Sequence, residues 1–338
     1  MVPDNGRTVL WFGNVVGTDG FGRIGNECLR RLQQRGYRVG ACGIFTQHVP
    51  FGHPYQVWGL AGRNIWDELQ QVVLSMKPMV LVVCQDFPYL TQAAHLTRID
   101  YSETALIGIT PIDGVPVNAD WIASGPRFDA LMTISRYGVQ ALRRQGLRDR
   151  WGRPGRHLPM GVDPQEFGYA PPEERAYVRQ VAGFPAPGAA TVLGAFMQNQ
   201  GRKCWGEVLE VYGRYRAEHD PGALLLCDTE RNAPGGGFNL PQLAEQVAWT
   251  RKLPPFVDGL RFRDELSGRI KRNLQGEPVG TLGLRDRMAL CDVAVQGAYR
   301  EGFGLPIAEC QSCFPAGTQI SAANVVAGME RPYTGDLI

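Results

Sequence analysis

The sequence has no long apolar run, almost no excess of charge and few histidines. No hydrophobic stretch approaches the roughly 20 residues that a membrane-spanning helix needs, and residues 1–7 lack the pattern of a signal peptide. Thirty-five basic residues stand against 33 acidic ones, and a net charge of +2 gives no case for a nucleic-acid partner. The five histidines are dispersed. These absences predict a cytoplasmic protein that binds no nucleic acid and needs no metal.

Paired cysteines are also scarce. Of the eight cysteines, only Cys310 and Cys313 have CxxC spacing, and no second pair completes a zinc site. This pattern argues against structural zinc and against a disulfide framework, and it favours a reducing compartment.

What is present is the composition of an ordinary globular chain. The 338 residues are 44% hydrophobic and 20% charged, and they are numerous enough for two domains with separate cores. A short apolar run at residues 8–13 predicts a buried strand, and a Gly-rich turn at 16–27 opens a helix. The start of that helix leaves space for a phosphate or a hydroxyl group. The glycine spacing is not GxGxxG, so NAD is not predicted.

Further apolar runs predict strands that end in polar residues. Asp86 and Asp113 follow two of these runs, where parallel sheets bind ligands, so both are candidate cleft residues. Loop capping is an equally good role for each. The Pro-rich segment 170–174 predicts a linker, and the domains are predicted at 1–165 and 166–312.

The second α/β unit is predicted to contain an anion site. Its first strand, near residues 190–196, leads into a loop that ends in Arg202 and Lys203 just before a helix. Basic side chains at a helix N-terminus suit a phosphate. A solvated surface loop is the plainer alternative.

Two glutamates eight positions apart, Glu301 and Glu309, frame a Gly-x-Gly-x-Pro string. Proline is tolerated in a first helical turn, so the string predicts a loop leading into a helix. Gly302 and Gly304 allow close approach of a ligand to the backbone. Ionised carboxylates accept hydrogen bonds, which suits a sugar or a ribose.

The sequence resembles the family 4 retaining glycosyltransferases with the GT-B architecture. The resemblance covers residues 8–312 and rests on Glu301 and Glu309 with residues 302–306, on 290–293, on Arg202 with Lys203, and on 160–167. It implies an α/β fold of two Rossmann-like domains, an acceptor-side domain and a nucleotide-sugar-binding domain, with the active site in the cleft between them.

The same resemblance implies roles for individual residues. Glu309 would hold the ribose hydroxyls, Glu301 would contact the donor sugar, and Lys203 would neutralise the diphosphate as the leaving group gains charge. The remaining donor contacts would come from Gly302, Phe303, Gly304, Gly17 and Gly20. Such enzymes use a nucleotide sugar as co-substrate and generally need no metal or other cofactor.

One position departs from the family pattern. Gln198 stands where the family usually has an arginine, so either Arg202 substitutes for that charge or the diphosphate is held more weakly. The departure keeps open a second interpretation, a non-catalytic relative that binds a nucleotide or a sugar. The acceptor, whether sugar, lipid or protein, has no signature in the sequence.

A second resemblance begins at Cys313. Residues 313–320 resemble the first block of inteins and related Hint domains, and 331–338 resemble a later strand of that fold. In such a domain the Cys313 thiol would attack the Ser312 carbonyl and form a thioester. The sequence therefore predicts an intein fragment at 313–338 that interrupts an incomplete transferase.

Two alternatives concern this fragment. It lacks the blocks that complete splicing, so either the sequence is truncated or the fragment works with a separate C-terminal half. Otherwise Cys313 is a structural cysteine of the transferase, and the residues from 319 form its next strand. A third interpretation, a secreted self-processing protein, is disfavoured by the cysteine pattern.

Overall fold

The computed structural model describes residues 6–15, 20–44, 54–60, 64–115, 117–233, 236–272, 276–298, 305–313 and 321–323. The chain forms two compact units, Met1–Met160 and Gly161–Ile338, and each is described by itself. The division falls slightly before the predicted boundary at residue 165. Within the described ranges, no helix is both long and apolar enough to cross a membrane.

The first unit contains a seven-stranded parallel sheet with the order β3-β2-β1-β4-β5-β6-β7. Its strands are β1 (Thr8–Gly13), β2 (Arg38–Ile44), β3 (Gln56–Leu60), β4 (Val80–Cys84), β5 (Ala105–Thr110), β6 (Ala130–Thr133) and β7 (Arg156–His157). Its helices are α1 (Gly20–Gln34), α2 (Ile65–Met76), α3 (Phe87–Ala94), α4 (Ala119–Ser124) and α5 (Arg136–Arg144).

The apolar runs of this unit become strands because the sheet's interior accepts near-continuous Val, Leu and Ile. Leu10 and Phe12 of β1 are fully buried, as is Leu81 of β4. A serine caps helix α5, since the Ser135 hydroxyl accepts a hydrogen bond from Gly138 N at 3.1 Å where the helix begins. Glycine is required at Gly13, where a side chain would run into the Cys84 carbonyl oxygen.

The second unit contains a five-stranded parallel sheet with the order β10-β9-β8-β13-β14 and a separate antiparallel hairpin, β11–β12. Its strands are β8 (Val192–Ala195), β9 (Leu224–Cys227), β10 (Leu260–Phe262), β11 (Ile270–Arg272), β12 (Pro278–Thr281), β13 (Val293–Gly297) and β14 (Ser321–Ala323). Its helices are α6 (Pro172–Ala182), α7 (Trp205–Glu218), α8 (Leu240–Arg251), α9 (Arg263–Leu266), α10 (Leu284–Ala289) and α11 (Leu305–Cys313).

The predicted linker at 170–174 is wrong. Pro171 and Pro172 start helix α6, because a proline in the first turn has no N–H that would need a partner. The helix is fixed to the sheet through Asp292. The Arg179 side chain, which is 0% exposed, donates from Nη2 to Asp292 Oδ2 at 2.7 Å and from Nε to the Leu290 carbonyl at 2.8 Å. The same Asp292 oxygen accepts a bond from Val192 N at 2.8 Å.

The segment from Cys313 onward differs from the predicted start of a new fold. Cys313 is the last residue of α11 and is fully buried in an apolar cluster with Phe167, Cys291 and Cys310. Beyond it the structure describes Ser321–Ala323, and this strand pairs in parallel with β13, Ser321 opposite Val295. These residues extend the sheet of the second unit, and the Hint fragment is not confirmed. The division at 312/313 stays a prediction. The remaining residues of 314–338 lie outside the described part.

Candidate functional site

The segments that contain or lead to the predicted donor-site residues of the second unit all lie at one edge of its sheet. Because its strands are parallel, the residues that follow β8, β9, β10 and β13 all emerge at the carboxyl edge. The loop with Lys203 follows β8, and Asp228 follows β9. The stretch that leads toward Glu301 follows β13. The topology therefore places these three segments along a single edge.

The Lys203 loop (residues 196–204) packs against the end of β13. Lys203 closes a 3₁₀ turn and is only 7% exposed, while Gln198 and Arg202 are exposed. The indole Nε1 of Trp205, the first residue of α7, donates to the Gln198 carbonyl at 3.1 Å. A Cβ placed on Gly297 would lie 3.3 Å from the Lys203 carbonyl oxygen, so strand and loop are in close contact. Lys203 is thus held at a helix N-terminus beside the strand that leads to Glu301.

Asn199, which sequence reasoning missed, connects the Lys203 loop to residues that follow β9. Its side chain is 6% exposed, donates to the carbonyls of Phe238 at 2.7 Å and Glu230 at 3.1 Å, and accepts from Phe238 N at 2.9 Å. The partners lie 31 and 39 residues further along the chain. No local pattern in the sequence signals such bonds.

A second missed feature is a buried ion pair that follows β9. Arg287 Nε lies 2.6 Å from Asp228 Oδ1, and Arg287 Nη1 donates to the Leu282 carbonyl at 3.0 Å. Arg287 also lines a cavity of about 370 Å³, whose other lining residues are Thr229, Glu230, Arg263, Asp264, Ser267, Gly268, Thr281 and Leu282. The lining holds charges of both signs and several hydroxyl groups. It suits a polar ligand that makes directed hydrogen bonds.

Of the two predicted glutamates the structure describes one. Glu309 lies on α11 and is 2% exposed, which is rare for a carboxylate that has no functional or structural partner. Helix α11 begins at Leu305 with Pro306 in its first turn, as the sequence predicted. Glu301, Gly302, Phe303 and Gly304 lie outside the described residues. The pairing of the two carboxylates stays a prediction.

In the first unit the structure describes three of the predicted residues. Asp86 directly precedes α3, is exposed, and makes no side-chain capping bond there. Asp113 follows β5 and is half-buried, and its Oδ1 has no hydrogen-bond partner among the described residues. Both aspartates follow strands at the carboxyl edge of the sheet, where they were expected. Gly20 is the first residue of α1, and Gly17 lies outside the described part. Ligand contacts of these residues stay predictions.

The predicted splicing nucleophile is held in a setting that opposes nucleophilic attack. The Cys313 thiol donates to the Phe167 carbonyl, Sγ to O 3.6 Å, and the Cys313 carbonyl accepts from Ala170 N at 3.2 Å. Burial, partly offset by the charge of Arg285, raises the pKa of the Cys313 thiol to about 11. Near neutral pH almost none of this cysteine is thiolate. The neighbouring Ser312 is half-buried.

We expect Cys313 to resist alkylation in the native protein. Iodoacetamide reacts with thiolate, so Cys28, which is only half-buried, should be labelled first at pH 8. Peptide mass spectrometry after timed quenching measures both sites, and a urea-unfolded sample gives the unprotected rate. Because folding raises this pKa, the thiol's contribution to stability is present at neutral pH and is lost as the pH rises toward 11. Equal native labelling of both cysteines would contradict the buried position.

Within the described residues, no group of three or more His, Cys, Asp or Glu side chains is arranged to hold a metal ion.

Solved structures share the fold of this chain, whereas two other comparisons find no match. No protein-family model matches the sequence, and no curated protein matches it. Among solved structures, α,α-trehalose 6-phosphate synthase from Burkholderia multivorans is similar, with a TM-score of 0.62, 12% identity, and coverage of 94% of this chain and 83% of that one. WaaG, a glycosyltransferase involved in lipopolysaccharide biosynthesis, has a TM-score of 0.62, 13% identity, and coverage of 90% and 78%.

A third similar structure is the trehalose-6-phosphate protein from E. coli bound with UDP-2-fluoro glucose, with a TM-score of 0.55 and 12% identity over 91% of this chain and 82% of that one. Identities this low show the fold alone. The chain has the α/β fold with parallel sheets that its GT-B glycosyltransferase neighbours share.

Proposed function

We propose that this chain is a glycosyltransferase that moves a sugar, of hexose type, from a nucleotide-diphosphate sugar to an acceptor with retention of configuration. The observation that carries the proposal is the contact of the Lys203 loop with the end of β13, the strand that leads to Glu301. The shared fold supports it, and the E. coli neighbour was solved with UDP-2-fluoro glucose. The acceptor is a sugar, a lipid or a protein.

The proposed chemistry follows from where charge develops. As the glycosidic bond breaks, negative charge grows on the departing diphosphate, and a cation held nearby stabilises that transition state. Lys203 supplies the cation, and the N-terminus of α7 adds backbone N–H groups and the positive end of the helix dipole. Arg202, which is exposed, or Gln198 adds a further donor. Glu309 accepts from the ribose hydroxyls, and Glu301 contacts the transferred sugar.

The test is turnover of nucleotide sugars by the purified chain. A panel of UDP- and GDP-linked hexoses is incubated with and without candidate acceptors, and release of the nucleoside diphosphate is measured. We expect release with at least one donor, strongest once the missing half is supplied if splicing completes the transferase, and its loss in Glu301→Ala and in Glu309→Ala. The exposed Glu103→Ala is the matched control and should leave the rate unchanged. Retained turnover in both glutamate variants would overturn the assigned site.

The same assay distinguishes a glycosyltransferase from the alternative, a non-catalytic relative. A non-catalytic relative would bind a nucleotide or a sugar nucleotide, which calorimetry measures, and would release no diphosphate from any donor. Gln198, which brings no charge to the diphosphate, is the residue that favours this alternative.

A second proposal concerns residues 313–338. The string from Cys313 to Thr318 supports an intein fragment whose splicing, with a separate half, completes the transferase. The buried Cys313 and the strand Ser321–Ala323 beside β13 support the alternative, a structural cysteine in a continuous transferase sheet. The coding sequence past Ile338 separates them. A Thr-x-x-His block there supports splicing, and a Gly/Pro turn followed by a helix refutes it.

A further inference from the structure

A tight turn in the first unit, residues 149–153, displays an exposed tryptophan; we call it the Trp151 turn. Trp151 is 63% exposed, whereas Asp149 beneath it is 3% exposed. Asp149 Oδ1 accepts from Trp151 N at 3.0 Å and from Arg153 N at 2.9 Å, and its Oδ2 accepts from Arg153 Nε at 2.8 Å. The backbone closes the turn with a bond from Asp149 N to the Arg153 carbonyl. The indole is therefore presented by a fixed backbone.

Two guanidinium groups are held against this indole. Arg150 Cζ lies 5.4 Å from the ring centroid and Arg153 Cζ lies 6.0 Å from it. Asp129 fixes both arginines, since its Oδ1 lies 2.8 Å from Arg150 Nη1 and its carbonyl accepts from Arg153 Nη2 at 2.5 Å. An aromatic ring and two cations thus form one ordered surface cluster.

The surroundings of the cluster are strongly basic. Residues 143–156 contain six arginines and a single acidic residue, in a chain whose net charge is only +2. Arg143, Arg144, Arg148 and Arg156 are all exposed. Helix α5 starts at the carboxyl end of β6 and runs back toward the amino end of the sheet, because β7 is parallel to β6. The last turn of α5, the Trp151 turn and the start of β7 therefore lie at the amino edge of the sheet. This edge is opposite the one where parallel sheets bind their ligands.

We propose that this surface docks the protein onto an anionic membrane. Tryptophan favours the headgroup level of a bilayer, because its ring is apolar and its N–H needs a polar partner. Exposed arginines are attracted to anionic headgroups and bury their aliphatic stems along the interface. A single-stranded nucleic acid is the competing polyanion, but its bases stack on open aromatic faces, and guanidinium groups already lie over this ring.

The test is vesicle flotation with the full chain. We expect flotation with vesicles of phosphatidylcholine mixed with phosphatidylglycerol at low salt, none with phosphatidylcholine alone, and release at 1 M salt, where the screening length falls to about 3 Å. Replacing Arg144, Arg148 and Arg156 by Gln should lower the partition coefficient about fivefold for each arginine. The side chains of these three make none of the hydrogen bonds that hold the turn, and the backbone bridge of Arg148 with Pro154 does not need the arginine side chain. Trp151→Ala should lower it further.

Trp249→Ala is the matched control, because Trp249 is 83% exposed and lies on α8 of the other unit. Circular dichroism confirms that each variant is folded. The proposal is overturned if the unchanged protein does not float with anionic vesicles, or if Trp249→Ala weakens flotation as much as Trp151→Ala. It is also overturned if single-stranded RNA displaces the protein from the vesicles at equal charge concentration. None of these readouts depends on sugar transfer.

Discussion

Lys203→Met is expected to lower kcat/KM for sugar transfer by about 10²–10³, the usual loss when one donor to a developing oxyanion is removed. Lys203 is 7% exposed, so its ammonium acts in a setting that screens charge less than bulk water does. Methionine keeps most of the side chain's length and removes only the charge. The measurement is steady-state release of the nucleoside diphosphate from the best donor, with calorimetry for binding of the free diphosphate.

Lys252→Met is the control, because Lys252 is an exposed lysine at the end of α8. We expect it to retain full activity, and we expect Lys203→Arg to recover part of the rate, since arginine restores the charge with a different shape. If Lys203→Met stays within twofold of the unchanged protein in both transfer and diphosphate binding, the proposed donor site is wrong.

Asp292→Ala is expected to destabilise the second unit by about 3–5 kcal/mol, the usual loss when a buried charge is left without its partner. Asp292 itself is 30% exposed, and the buried member of the pair is Arg179. The variant leaves the 0% exposed Arg179 without its carboxylate and removes the acceptor of Val192 N. Arg175 Nη2, at 3.0 Å from Asp292 Oδ1, loses its ion-pair partner as well and keeps only carbonyl acceptors. Hydrogen exchange of the β8 and β13 amides reports on this unit alone and measures the loss.

The matched control is Asp258→Ala. Arg216 lies 2.6 Å from Asp258, but the Asp258 side chain is 71% exposed, so this ion pair should contribute less than about 1 kcal/mol. Replacing both Arg179 and Asp292 by leucine should recover much of the stability, because the buried guanidinium charge is then removed together with its partner. A loss for Asp292→Ala no larger than that for Asp258→Ala would show that the network does not hold α6 to the sheet.

Local patterns in the sequence predicted the central strands of both sheets and missed β3, β7 and β10. The runs that became β1, β4 and β5 are apolar and short, and the serine that caps α5 stands immediately before the helix. Such signals need no knowledge of distant residues. The hairpin β11–β12 carried no such signal, because its strands, IKR and PVGT, are mostly exposed and lack a buried face.

The parts that sequence reasoning missed depend on distant partners. Asp228 and Arg287 are 59 positions apart, and their pairing becomes visible only when β9 and α10 are assembled. Pro171 and Pro172 favour a linker when only the sequence is considered, although proline is also common in a first helical turn, which is where Pro172 lies in α6. The residues next to Cys313 in the sequence predict splicing, whereas the residues that pack around it in the fold form an apolar core. That packing becomes visible only in the assembled structure.

Asn199 has a consequence for the energetics of ligand binding. By tying the Lys203 loop to the segment that follows β9, its three hydrogen bonds restrict two loops that would otherwise sample many conformations. Ordering a loop costs conformational entropy, and here that cost is met during folding. A donor that enters this preorganised edge does not have to fix the loops itself, so more of its contact energy remains for affinity.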